Sequence, residues 1–222
     1  MSEKKTKTTY TGWHWLPADG MTVSYGGAER QKVRSGRTMR VKGTIVACHR
    51  GLHASKRPID ALRFIKGTLI QRVTLSGTIA KQGDKAAASH RTCVWMADAT
   101  QVLKRFVLEW AEQIVKYKGL ANEHTEAAFG QARELLCERT SKRSMAAVMF
   151  RENMERGLNH IGTCLRRELC NLGSLVHAFD FEKLKVTCGV FFQDTYSASL
   201  RLLNKRLSRM LCGLRPRKKA KK

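Results

Sequence analysis

At 222 residues with 42% hydrophobic content, the chain is long enough to bury a real core, as one large domain or two modest ones, which excludes a disordered polycation. Its 42 Lys and Arg against 18 Asp and Glu leave a formal charge of +24, and the absence of any run of about 18 apolar residues excludes a bilayer-spanning helix. Lys4, Lys5 and Lys7 have no apolar stretch behind them, so the reading excludes a secretory leader and expects a cytoplasmic protein.

In chain order, the first signal is Trp13-His14-Trp15 before Pro17, an extended segment with both indoles on one side. Such a pair would stack bases, each worth about 1 to 3 kcal/mol, or pack the first strand, which is the simpler use. Arg30, Lys32, Arg34, Arg37, Arg40 and Lys42 follow, flanked by Gly26, Gly27, Gly36 and Gly43, with Glu29 the single acid among them. If residues 29–34 are extended, Arg30, Lys32 and Arg34 share a face, and Arg40 with Lys42 does the same on a second strand. The expectation is a hairpin-like ribbon that offers a basic ladder to phosphates, against the alternative of a solvated strand face. Alternation and β-branched residues predict strands within Thr38 to Val46 and Thr68 to Ala80. Between them Pro58 suits the first turn of a short helix.

The period becomes helical after residue 97. Asp98 is the expected N-cap of a helix carrying Leu103, Phe106, Trp110, Ile114 and Tyr117, which Gly119 ends. Further helices are expected at about 124–139, 142–157, 160–179 and 194–212, the last capped by Asp194, and the stretch 179–192 fits either a strand pair or a helical connection. In the last helix Leu200, Leu203, Leu207 and Met210 form an apolar stripe beside Arg201, Lys205, Arg206 and Arg209, suited to packing on its own domain more than to an anionic membrane. The reading is therefore α+β: a small mixed or antiparallel β head (1–97), an α-helical body (98–212) and a disordered basic tail (213–222).

Charge follows the same division. Residues 1–97 carry 18 basic and 5 acidic side chains, 98–204 carry 15 and 13, and 205–222 carry 9 and none. Self-repulsion on that scale disfavours a compact state unless a polyanion accompanies it, so nucleic acid, DNA or RNA, is the expected partner, with a host protein complex or ribonucleoprotein as a second class. Arg50, Lys56 and Arg57 extend the ribbon's charge. Arg215, Arg217, Lys218, Lys219, Lys221 and Lys222 form an electrostatic arm, or simply a solvated terminus.

Chemistry concentrates in Cys48-His-Arg-Gly-Leu-His-Ala-Ser-Lys-Arg57. His49 and His53 are suited to proton transfer near neutrality, and the adjacent cations suit phosphate charge. His90, with Arg91 and Thr92, forms a second polar cluster. These three histidines are the catalytic candidates if the protein is an enzyme, for example a metal-independent nuclease; the alternative is one buried, hydrogen-bonded His at a tight turn and one exposed. The seven cysteines are odd in number with no C-x-x-C pair, so the reading expects reduced thiols, no metal and no cofactor.

The order W-x-W-L-P (13–17), G-L-H-A-S (51–55), D-A-L (60–62), R-V-x-L-S-G-x-I (72–79), G-D-K-x-A-A-S (83–89) and R-T-x-x-W-x-x-D-A (91–99) resembles an uncharacterised family of bacteriophage and prophage proteins over about the first 106 residues. The resemblance implies a phage-encoded protein acting in the cytoplasm of an infected host, without assigning an activity; the less Ala-rich, more basic helical body departs from the family. G-L-H-A-S also faintly resembles ADP-ribosyltransferase strand motifs, whose Glu-x-Glu is missing here. A phage-encoded nucleic-acid-binding protein is the expected function, with an enzyme on nucleic acid or nucleotides, or a DNA-condensing virion or packaging protein, as alternatives.

Overall fold

A computed structural model of the chain describes residues 9–22, 30–137, 152–158, 163–177, 181–195 and 197–216. Residues 138–139, 142–151, 160–162, 178–179 and 196 of the expected helices lie outside the described residues, as do Gly26, Gly27 and Glu29 and the tail from Arg217 onward. The chain forms two compact units, residues 1–99 together with 204–222, and residues 100–203.

The first unit carries an antiparallel sheet of β1 (Tyr10–Leu16), β2 (Thr38–Arg40), β3 (Leu52–Ser55), β4 (Leu69–Gln82) and β5 (Lys85–Asp98), with α1 (Pro58–Leu62) after β3. The architecture is α+β, as expected. β4 and β5 form a long hairpin, β1 pairs with β4, β3 pairs with β5, and Trp13 of β1 pairs with Ser55 of β3, so these four strands close into a ring. β2 pairs with β5 on the same edge as β3, farther along the strand, with Met39 opposite Arg91. Closure brings β1 very near β3: a Cβ on Gly12 would meet the Ser55 carbonyl at 2.7 Å and the Ala54 methyl at 2.9 Å, so only glycine fits there. Inside, Ala54, Val73, Leu75, Ala86 and Ala88 make one apolar cluster, and Leu16, Val33 and Cys93 make another with Met39, Leu69 and Met96. Trp13 and Trp15 are both buried, and Trp95 meets Trp13 edge-on at 5.8 Å. They are core residues rather than a platform for bases.

Three local expectations change. The strand expected within 38–46 stops at Arg40, because Gly43 (φ +91°) turns the chain under the Arg50 guanidinium. β5 stands where the sequence suggested only a polar cluster. β4 is interrupted by a register shift between Ser76 and Ile79, where Gly77 adopts φ +77° with Ser89 and His90 packed against it.

α1 starts with Pro58, and its N-cap residue Arg57 provides no side-chain cap. Asn204 of α6 (Ser197–Cys212) supplies it instead, its Oδ1 accepting the Ile59 N–H at 3.4 Å. Arg57 donates from Nε and Nη2 to the buried Asp60 carboxylate at 2.6 and 2.7 Å. Asn204→Ala is expected to cost about 1 kcal/mol in urea unfolding, the usual loss of a helix cap; a cost indistinguishable from zero would show that the contact does not cap α1.

The second unit contains α2 (Thr100–Tyr117), α3 (Glu123–Cys137), a helical segment at 152–157, α4 (Thr163–His177), α5 (Phe181–Asp194) and the start of α6. α2 ends at Gly119 (φ +67°), the Leu120 N–H returning to the Val115 carbonyl at 2.9 Å. α3 begins with a reciprocal cap: the Thr125 N–H reaches Asn122 Oδ1 at 3.0 Å, and the Asn122 N–H reaches Thr125 Oγ1 at 2.9 Å. The ambiguous stretch is helical from residue 181 to Asp194, and the last helix starts at Ser197 rather than at residue 194. Asp98 closes β5, two residues before the helix that starts at Thr100. Trp110 anchors the unit, fully buried against Phe106, Phe191 and Phe192.

Candidate functional site

The glycine-flanked basic segment divides in two. Residues 20–22 and 31–33 run antiparallel, with Met21 opposite Lys32, the Thr22 N–H on the Gln31 carbonyl at 2.9 Å and the Val33 N–H on the Gly20 carbonyl at 3.0 Å. Both cations of this part turn back onto Asp19. Arg30 Nη2 donates to its carboxylate at 2.6 Å and Nε to the Thr22 carbonyl at 3.0 Å, while Lys32 Nζ bonds the Asp19 carbonyl. The Met21 N–H and then Arg30 hold the Asp19 carboxyl below its usual range. Arg30 and Lys32 are thus already engaged within the chain.

Arg34, Arg37, Arg40, Lys42, Arg50 and Lys56 are all exposed, and among the described residues none has a carboxylate within ion-pair distance. Arg34 to Lys42 lie along the edge of β5 that β3 also uses, bonded through Gly36 N–H to the Cys93 carbonyl (2.7 Å), Cys93 N–H to the Arg37 carbonyl (3.1 Å) and Val41 N–H to the Ser89 carbonyl (2.9 Å). Arg50 spans the turn, donating to the Lys42 carbonyl at 3.1 Å. Arg57 is bound to Asp60, and Arg215 is exposed. The unit that holds this segment contains 27 Lys and Arg against 6 Asp and Glu, a net +21; the other unit carries +3.

The three histidines form no common constellation. His49 is exposed on the turn 46–50, next to Cys48 at φ +69°. His90 Nδ1 lies 2.9 Å from Ser89 Oγ at the Gly77 bulge. Among the described residues no hydrogen bond joins any two of the three. His53 instead belongs to an interior polar group. Arg91, 3% exposed, donates from Nη1 to the His53 carbonyl at 3.0 Å and from Nη2 to Met39 Sδ at 3.9 Å. Burial lowers its guanidinium to about 10. His14 feels both Arg91 and His53, and Gln71 is its register partner on β4. The sequence pointed to His53 but not to His14 or Gln71, since only strand pairing brings positions 14, 53, 71 and 91 together.

Burial, then Arg91, then His53 hold the His14 imidazole well below its ordinary range; burial, then Arg91, lower His53 as well, with a backbone hydrogen bond at Gly51 partly offsetting them. In both rings the folded state therefore favours the neutral form more than the unfolded chain does. Unfolding lets them take protons below about pH 6.5 while the folded state resists, so stability is full above that pH and falls as the pH drops below it. A Tm series from pH 7.5 to 5 is expected to decline, and His14→Gln to flatten the decline; equal slopes in both proteins would count against the assignment.

Among the described residues no group of three or more His, Cys, Asp or Glu is placed to hold a metal ion, and no helix is long and apolar enough to cross a membrane. A family profile described as "Domain of unknown function (DUF7666)" matches residues 26–105, which span β2 to β5 and both groups of residues above apart from His14. No curated protein and no solved structure matches the chain significantly.

Proposed function

We propose that the protein binds nucleic acid, through the exposed cations of residues 34–56 that flank β2 and β3 along β5. The observation that carries this reading is that six exposed Arg and Lys within 23 residues have no carboxylate partner among the described residues, in a unit of net charge +21. Guanidinium and ammonium groups left without acids beside an ordered strand are preorganised for phosphates, and each contact releases counterions. The reading differs from the sequence expectation in one respect: Arg30 and Lys32 brace the loop at Asp19 and contribute less. The basic residues beyond Pro216 add a secondary arm. A phage-encoded protein working in a host cytoplasm is part of the same proposal, on the sequence resemblance alone.

Binding to a short duplex, DNA or RNA, is expected to lose affinity steeply with salt. Five or six neutralised phosphates correspond to a slope of about −5 in log K against log salt on B-DNA. Fluorescence anisotropy at several salt concentrations measures it, and a slope near zero would remove the proposal's basis.

A further inference from the structure

A buried arginine ordinarily has an anion beside it, because removing a guanidinium from water is costly unless its donors and its charge are both satisfied. Arg91 has neither condition met. It makes two hydrogen bonds, to the His53 carbonyl and the Met39 thioether, and three of its five N–H groups have no acceptor among the described residues. No carboxylate there comes within ion-pair distance of it. The neighbours repeat the pattern. His53 Nε2 is buried without a partner, and Gln71, fully buried, leaves both Oε1 and Nε2 unpaired. Gln71 stands opposite His14 on β1 and opposite Met96 on β5, and Met96 packs in the same cluster as Met39, on which Arg91 rests. The charged and titratable groups facing His53 are His14 of β1 and Arg91 and Lys85 of β5, and none is acidic. Three strands therefore carry buried, incompletely paired polar groups, β1 adds the half-buried His14 opposite Gln71, and no acid among the described residues faces them.

We propose that His14, His53, Gln71 and Arg91 form an interior binding site for one small tetrahedral oxyanion of the phosphate class. Such an ion has enough acceptors for the free Arg91 N–H groups and the Gln71 amide together, which a two-oxygen carboxylate does not. Its charge opposes Arg91 and favours protonation of His53 Nε2, which then becomes a further donor. The Gln71 carbonyl accepts from the hydroxyl of a protonated or esterified phosphate. The site is separate from the exposed cations of residues 34–56 and does not depend on them.

The test titrates the full chain with inorganic phosphate at constant ionic strength, following the His14 and His53 ring signals by NMR and the heat of binding by calorimetry. One phosphate per chain is expected, both rings moving on the same isotherm and both titrating at higher pH when phosphate is bound. Gln71→Leu and Arg91→Lys are expected to weaken binding about tenfold or more, the loss of a charge-assisted or buried hydrogen bond. Lys81→Gln, at an exposed position of β4, is expected to leave the isotherm unchanged. Should Arg91→Lys fail to fold, Gln71→Leu and His53→Phe decide. The proposal is overturned if neither ring responds saturably, if Gln71→Leu binds phosphate as the wild type does, or if only a DNA duplex and not free phosphate moves the two signals.

Discussion

Replacing Arg34, Arg37, Arg40 and Lys42 together with glutamine is expected to weaken duplex binding about a thousandfold at about 0.1 M salt and to flatten the salt slope by about 3 to 4. The effect is large because these four side chains are exposed and unpaired on a backbone that β5 holds in place, so their charge is available without breaking any intramolecular ion pair. Stability should change little, as exposed unpaired cations contribute little to it. The companion variant Arg30→Gln with Lys32→Gln removes half as much charge and is expected to reduce affinity by much less than half of that effect on a logarithmic scale, because Asp19 already occupies both. Equal per-residue losses in the two variants would show that position on β5 is irrelevant and that net charge alone governs binding. An unchanged salt slope in the fourfold variant would move the contacts elsewhere, to the basic residues after Pro216.

Trp110→Ala is expected to cost about 3 to 5 kcal/mol in denaturant unfolding followed by far-UV circular dichroism. The indole is fully buried, with Phe106, Phe191 and Phe192 ring centroids at 5.5, 5.8 and 6.2 Å. Its Nε1 donates to Thr195 Oγ1 at 2.7 Å, and that hydroxyl in turn donates to the Phe191 carbonyl at 2.6 Å. Truncation leaves a cavity between α2 and α5 and also removes the donor that fixes the end of α5. Trp110→Phe keeps most of the apolar contact and loses only the hydrogen bond, so it should cost about 1 to 2 kcal/mol. A loss below about 1 kcal/mol for Trp110→Ala would mean that the three phenyl rings collapse into the space and that the indole is not the anchor of this unit.

Legibility in the sequence depended on whether a residue's role was set by its neighbours in the chain or by strand pairing. The period of Leu103, Phe106, Trp110 and Ile114 announced α2, and Gly119 announced its end, because helix packing repeats over four residues. β4 was visible through Leu69, Val73, Leu75 and Ile79. β5 was not: its buried run Ala86-Ala87-Ala88 is small and unbranched, suited to the crowded ring between β3 and β4, and Ser89, His90 and Arg91 looked like loop residues. α5 was ambiguous because Val186, Val190, Phe191 and Phe192 suit strands as well as helices. The exposed cations were legible as a group, but the difference between Arg30 and Arg34 lies in Asp19, 11 residues before Arg30. The interior cluster was the least legible, since its members come from four strands, and so was the return of residues 204–222 to the first unit.

The ring of β1, β3, β4 and β5 has a consequence for self-association. Strand edges with unpaired backbone groups invite another copy of the chain, and closure removes most of them. Among those left in the described residues are the far side of β2 and residues 76–82 of β4 beyond the end of β1. The first ends at Arg40 in the row of exposed cations, and the second is bent by the Gly77 bulge and carries exposed Lys81. Charge and curvature thus act as gatekeepers against edge-to-edge stacking of identical molecules, so a mutation that neutralises Arg40 or straightens Gly77 exposes a template for intermolecular strand pairing.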